Sequence, residues 1–269
     1  MLTRRIWALM TALFSISSTP AIAQAPLQPI KPWNLDYGET QCVAARQYGN
    51  AHAPVTLLIR PAPNGETYEL LVTRHVPGPR SPVEFEGAVD FGQGPIPAWL
   101  LSYQANTTRL AIHQFRIGAA DMAQARTAKA VALNAKGGAD ITFALANMGQ
   151  LLAGLEKCTA DLKRYWNADG ARISVPPKGS IREIFKPEDY PHQAALRDQQ
   201  GSVQFQLLVD EKGSVAGCHV MRASGIPALD AMGCQVIRER AKFTPALDRT
   251  GQPVRSVYVT PPVRWSLED

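Results

Sequence analysis

Four cysteines in 269 residues constrain this chain more than any other feature, because their pairing decides which segments lie together. Two of them, Cys218 and Cys234, stand in the stretch SVAGCHVMRASGIPALDAMGCQ, one in a strand-like run and the other in a helix-like run. Whether such a pair forms a disulfide, free thiols or a metal site depends on the compartment. The start of the chain addresses this. Arg4 and Arg5 precede an apolar run over residues 6–16, and Pro20, Ala21 and Ala23 follow, the layout of a cleavable secretory leader cut after Ala23. As a helix the run spans roughly 16 Å, about half of a bilayer core. A retained membrane anchor is the alternative. TRRIW loosely resembles a twin-arginine leader, but disulfides form after export, which favours ordinary secretion.

The formal net charge is +5, two of it from Arg4 and Arg5, and no run of like charges occurs. Nucleic acid and polybasic membrane contact are therefore excluded as partners. With 45% hydrophobic residues both halves can build a core. The expected organisation is a leader at 1–23, a mainly β N-terminal domain at 24–166, a linker at 167–180 and a C-terminal domain at 181–269. In the linker Asn167, Asp169 and Gly170 stop a preceding helix, and Pro176, Pro177 and Gly179 make a short semi-rigid connection.

The C-terminal half reads element by element. KPEDYPHQAALRDQQG suggests a short helix with Pro191 near its first turn. SVQFQLLVD alternates as a strand, DEKGS is a hairpin loop with Gly213 at a position needing positive φ, and SVAGCHVMRAS is the return strand with Ala216, Cys218 and Val220 on one face. PALDAMGCQVIRERA is a helix whose stripe is Leu229, Met232, Val236 and Ile237, with Cys234 on its shoulder. SVYVTPPVRWSL alternates as one long strand, and Pro261 and Pro262, which cannot donate ladder bonds, place it at a sheet edge.

A helix across a three-stranded antiparallel sheet sets Cys234 above Cys218. A disulfide there clips helix to sheet in a domain of about 85 residues with a small core, and is worth on the order of 3 kcal/mol. A metal site of Cys218, His219 and Cys234 is the rival, opposed by the opposite directions of adjacent strand side chains. Unpaired thiols are the third alternative.

The same residues carry a resemblance. Tyr190-Pro191, Gly201-x-Val203, Asp210 to Gly213-x-Val215, Ser224-Gly225 with Leu229-Asp230, Phe243-x-Pro245-Ala246, Gly251-x-Pro253 and Pro262-Val263, in that order, resemble the C-terminal domain of the energy-transducing TonB family. The resemblance implies an α+β domain, over residues 186–268, that hands signals to outer-membrane receptors of Gram-negative cells. It implies that a receptor segment adds as a strand to the sheet edge. Carried over, the contact strand is Val257, Tyr258, Val259, Val263, Arg264 and Trp265, with Tyr190 and Pro191 near the receptor side. Family transducers keep a membrane helix and a long Pro-rich arm. Here the leader looks cleavable and a folded domain replaces the arm, so the expectation is a periplasmic binding protein associated with transmembrane transport. An anchored transducer and a purely structural role for the TonB-like domain are the alternatives.

In the N-terminal half WNLDYGETQCVAARQYG, PVTLLIRPAP, ETYELLVTRHV, PVEFEGAVDF and TRLAIHQFRI read as strands of a small sandwich or barrel-like sheet. GAADMAQARTAKAV reads as a helix, GADITFAL as a strand, and NMGQLLAGLEKCTADLKRYW as a closing helix. In that helix Met148, Leu151, Leu152, Leu155, Cys158 and Leu162 share one face, so Cys42 is the natural partner of Cys158, a bridge worth about 4 to 5 kcal/mol.

Chemistry is sparse. His52, His75, His113, His192 and His219 are scattered, and neither H-E-x-x-H nor G-x-S-x-G occurs. Glu84, Glu86 and Asp90 stand at even spacing along one strand face and read as charges on its solvent side, with acid/base work by paired carboxylates in a periplasmic hydrolase as the alternative. Arg46, Arg74 and Arg116 read as exposed partners of strand residues. Asn106 heads a short glycosylation signature. The expectation is a non-enzymatic protein without metal or cofactor. Exposed sheet edges permit a strand-exchanged dimer.

Overall fold

A computed structural model describes residues 25–79, 83–104, 109–135 and 140–267. The expected leader at 1–23 and the signature at Asn106 lie outside the described residues.

The first body is a nine-stranded antiparallel sheet: β1 (Asn34–Tyr37), β2 (Cys42–Asn50), β3 (Ala53–Pro61), β4 (Thr67–Arg74), β5 (Val83–Asp90), β6 (Pro95–Gln104), β7 (Ala111–Gly118), β8 (Ala130–Ala135) and β9 (Ile141–Ala144), in the order β1-β2-β3-β4-β7-β6-β5-β8-β9. Residues 27–30 join its two edges. Leu27 N donates to Thr142 O at 2.7 Å on one side, while Ile30 N donates to Gln47 O at 3.0 Å on the other. The sheet therefore curls almost closed, which removes the free edges that an open sheet exposes. Helix α2 (Met148–Tyr165) buries Met148, Leu151, Leu152, Leu155, Cys158 and Leu162 against it. Cys158 is bonded to Cys42, with Cα atoms 6.1 Å apart.

Three sequence readings change here. Residues 33–49 form a hairpin rather than one strand, because Gly38 N bonds to Gln41 O and reverses the chain. The helix expected over GAADMAQARTAKAV is only α1 (Ala119–Met122) and a 3-10 turn at Ala123–Arg126. Its remainder enters β8, where Val131 and Leu133 alternate into the core, so pairing with β5 overrides the helical preference of alanine. Strand β6, between β7 and β5 in the sheet, has no counterpart among the strands expected from sequence.

The second body is built on β10 (Gly201–Val209). Strand β11 (Val215–Arg222) pairs along one side, and β14 (Ser256–Val259) and β15 (Val263–Trp265) follow one another along the other. Helix α4 (Pro227–Arg240) covers one face, burying Leu229 and Ile237 against Phe205 and Leu207. It is clipped by the Cys218–Cys234 bond, with a Cα separation of 5.5 Å. A Cβ on Gly233 would meet Phe205 Cζ at 2.4 Å, so this helix position must be glycine for the helix to lie this close. The short helix α3 (His192–Ala195) and a 3-10 turn at Pro187–Asp189 precede the sheet. Strands β12 (Ala246–Leu247) and β13 (Pro253–Val254) form a small hairpin.

The single long strand expected over residues 256–267 is in fact β14 and β15, separated by Thr260, Pro261 and Pro262. Thr260 remains paired, its N–H donating to Phe205 O at 2.9 Å and its Oγ1 accepting from Phe205 N at 3.0 Å. After the two prolines the register has slipped by one residue, from Leu207↔Tyr258 to Val203↔Val263. The connection between the bodies is pinned along the second one. Val175 exchanges backbone bonds with Leu247, and Lys178 with Thr244.

Candidate functional site

The outer side of β14 and β15 pairs with no strand among the described residues. The bond from Thr260 N to β10 sets the phase of this edge. Main-chain groups alternate sides along a strand, so Ser256, Tyr258 and Thr260 face β10, whereas the N–H and C=O of Val257 and Val259 face outward. Position 261 is next in the outward series, and proline has no N–H to offer there.

The side chains at the expected contact positions divide into two sets. Val259 is 44% exposed and Arg264 is exposed. The others are engaged. Val257 packs into the first core, the Tyr258 ring lies 4.8 Å from Phe243, Val263 joins the second core, and Trp265 is buried. Phe185 and Tyr190 meet Trp265 edge-on at 5.4 and 5.5 Å. Tyr190 donates its hydroxyl to Gln199 O at 2.7 Å, so it supports the end of the edge from beneath, with Pro191 half-buried beside it. This corner is fixed to α4 through Asp189, which accepts from Arg240 Nη1 at 2.6 Å and Nη2 at 2.8 Å. Arg240 holds the Asp189 carboxyl below its ordinary range.

The opposite edge, β11, faces the first body across a cleft of about 440 Å³. Leu208 and Val257, on the sheet face away from α4, and Ala216, the extra residue of a bulge in β11, pack into the first core. Arg255 lies 4.1 Å from the Tyr165 ring centre, and Asn167 Nδ2 donates to Arg255 O at 2.7 Å. At the start of α4, Ala228 N donates to Glu84 Oε1 at 2.6 Å across a sequence separation of 144. Arg116 Nη1 lies 3.5 Å from Asp230 Oδ2, and its Nη2 lies 3.1 Å from Glu69 Oε1. Glu69 also accepts from Gln114 Nε2 at 2.7 Å and from Arg60 Nε at 2.8 Å.

Burial sets the electrostatics of this junction. It works against the charged form of Glu69, but Arg60 and then Arg116 outweigh it and hold that carboxyl below its ordinary value. Asp230 and Glu84 are raised by burial, despite the bonds they accept from Ser224 and Ala228. Burial, then the neighbouring Arg60, pushes His219 down to about 4, so its ring is neutral at physiological pH. Glu84 and Arg116 are thus not the solvent-facing charges expected from their strands. They hold the two bodies together, through partners too distant in sequence to be read from local spacing.

Among the described residues no three His, Cys, Asp or Glu side chains are grouped to hold a metal ion, and no helix is long and apolar enough to cross a membrane. Residues 186–267 match the family described as Gram-negative bacterial TonB protein C-terminal. That stretch holds α3, β10, β11, α4 and the whole edge of β14 and β15. No curated protein and no solved structure matches the chain.

Proposed function

We propose that this chain is a periplasmic, non-enzymatic TonB-like binding protein whose C-terminal domain takes up an extended segment of an outer-membrane or other envelope transport protein along the outer edge of β14 and β15. The observation that carries the reading is the asymmetry of the second sheet. Its β11 edge is turned into the junction with the first body, whereas the outward N–H and C=O groups of Val257 and Val259 have no strand beside them among the described residues. An added strand gains affinity from such main-chain groups and selectivity from adjacent side chains, here Val259 and Arg264. The first body then acts as a rigid mount that sets which edge is offered. It stands where the family's transducers have an arm.

The test is a backbone amide NMR titration of the full mature chain with extended peptides copied from periplasm-facing termini of outer-membrane receptors. Shifts centred on residues 257–264, lost in Val259→Pro and kept in Val259→Thr, are expected. Shifts confined to the β11 cleft, or binding unaffected by Val259→Pro, would refute strand addition at this edge. Concentration-dependent sedimentation without peptide reports whether a second copy takes the same place.

A further inference from the structure

The curled sheet of the first body also holds a cavity of about 180 Å³, lined by none of the residues of the edge discussed above. Its wall is apolar, formed by Phe85, Phe115, Leu133 and Ile141 among others, and three polar side chains enter it: Arg74, Ser102 and His113. Ser102 and His113 are cross-strand partners on β6 and β7 and satisfy each other, with Oγ and Nδ1 2.7 Å apart. Burial, then the nearby Arg74, keeps the His113 pKa below its ordinary value, so the ring adds no second cation at neutral pH.

Arg74 is different. It is half-buried, its Nε is enclosed without a hydrogen-bond partner, and among the described residues it has no ion pair. Among the described residues no carboxylate lines the cavity. The Arg74 Nε gives up hydration there without a compensating partner, and a bound anion offsets that loss. Pockets that select small molecules combine such a wall with a few placed polar groups, and barrel mouths are a common place for them. A dry cavity of about 150 Å³ takes one benzene molecule. This one therefore has room for one ring or a chain of roughly six carbons.

We propose that this cavity binds a small apolar carboxylate, with the carboxylate on Arg74, the hydrocarbon against Phe85 and Phe115, and the Ser102–His113 pair as a neutral polar neighbour. A monoanion fits the single unpaired cation better than a dianionic phosphate does, since a phosphate would need several more donors than the wall supplies.

The test is calorimetric titration of the full mature chain with benzoate and hexanoate, each against its uncharged amide, with His113 ring resonances as a second readout. Saturable binding of at least one acid near about 1 mM or tighter, with the matching amide roughly tenfold weaker, is expected. Arg74→Met should bring the acid to the amide's affinity while backbone amide signals outside the cavity stay in place, and Arg74→Lys should retain part of the preference. Equal affinity of acid and amide, full acid binding in Arg74→Met, or no saturation by either acid up to about 10 mM would overturn the assignment.

Discussion

Replacing Arg116 by methionine keeps the side-chain stem and removes the charge that joins the two bodies. Asp230 is 3% exposed and Glu69 16% exposed at their side chains, against 26% for Arg116. Removing one partner of a buried ion pair typically costs about 3–5 kcal/mol. Here Asp230 keeps the Ser224 N–H and Glu69 keeps Arg60 and Gln114, so about 2–3 kcal/mol is expected near neutral pH. The pH dependence is the sharper part. Asp230 is raised above its ordinary 3.8, so its charged form is a penalty to the folded state that is present above its folded pKa and absent below 3.8. Without Arg116 that penalty grows. Glu69 is held below 4.5, so its contribution is present above 4.5 and is lost as pH falls through its folded value. Both act in the same direction: the deficit of Arg116→Met should be largest near neutral pH and shrink toward about pH 4. Urea midpoints of the full chain at both pH values measure it, and Arg116→Met with Asp230→Asn should recover part of the neutral-pH loss. A deficit below about 0.5 kcal/mol, or one that grows on acidification, would refute this account of the junction.

Replacing Cys218 and Cys234 together by alanine opens a loop of 16 residues and should lower unfolding stability by about 3 kcal/mol in denaturant titrations. The same change at Cys42 and Cys158, separated by 116 residues, should cost about 5 kcal/mol. Gly213→Ala meets a φ of +77° and would place its Cβ 1.8 Å from Phe243 O, so a loss of about 3 kcal/mol or more is expected in the same titration. Thr260→Val leaves the buried Phe205 N–H without its Oγ1 acceptor and should cost about 1–2 kcal/mol, with fast amide exchange at Phe205.

The parts of this fold that could be read from sequence are those whose cause is local. The stripe from Met148 to Leu162 and the alternation of Val203, Phe205, Leu207 and Val209 each bury one face over a few turns or residues, and Cys158 sits on the first of those faces. Strand β6 escaped because Pro95, Pro97 and an unbroken apolar run at residues 98–101 hide its period, and β8 because alanine favours helix until β5 supplies a partner. Closure of the sheet by residues 27–30 depends on β2 and β9, two elements far apart in the chain. The charged residues failed for the same reason. Glu84, Arg74 and Arg116 alternate like solvent-facing residues on their own strands, and only the second body, or the curl of the sheet, makes two of them junction residues and the third a cation with no ion pair among the described residues.

The two prolines of the offered edge set how tightly it can hold anything. Thr260 is bonded to Phe205, so outward donors on this edge come from Val257 and Val259, and the next outward position carries Pro261. Each net main-chain bond contributes about 0.5–1.5 kcal/mol, and Val257 already lies against the first body, so an added strand registers only a short stretch. Affinity of the isolated contact should therefore be weak, with exchange fast enough for a segment to be picked up and released. Proline also keeps a β edge from recruiting further copies of itself, which an exposed sheet edge must avoid. The trade is measurable. Pro261→Thr restores one outward N–H and should tighten peptide binding roughly 2- to 10-fold while raising the tendency to self-associate. If Pro261→Thr leaves both binding and sedimentation unchanged, the edge does not bind by adding a strand.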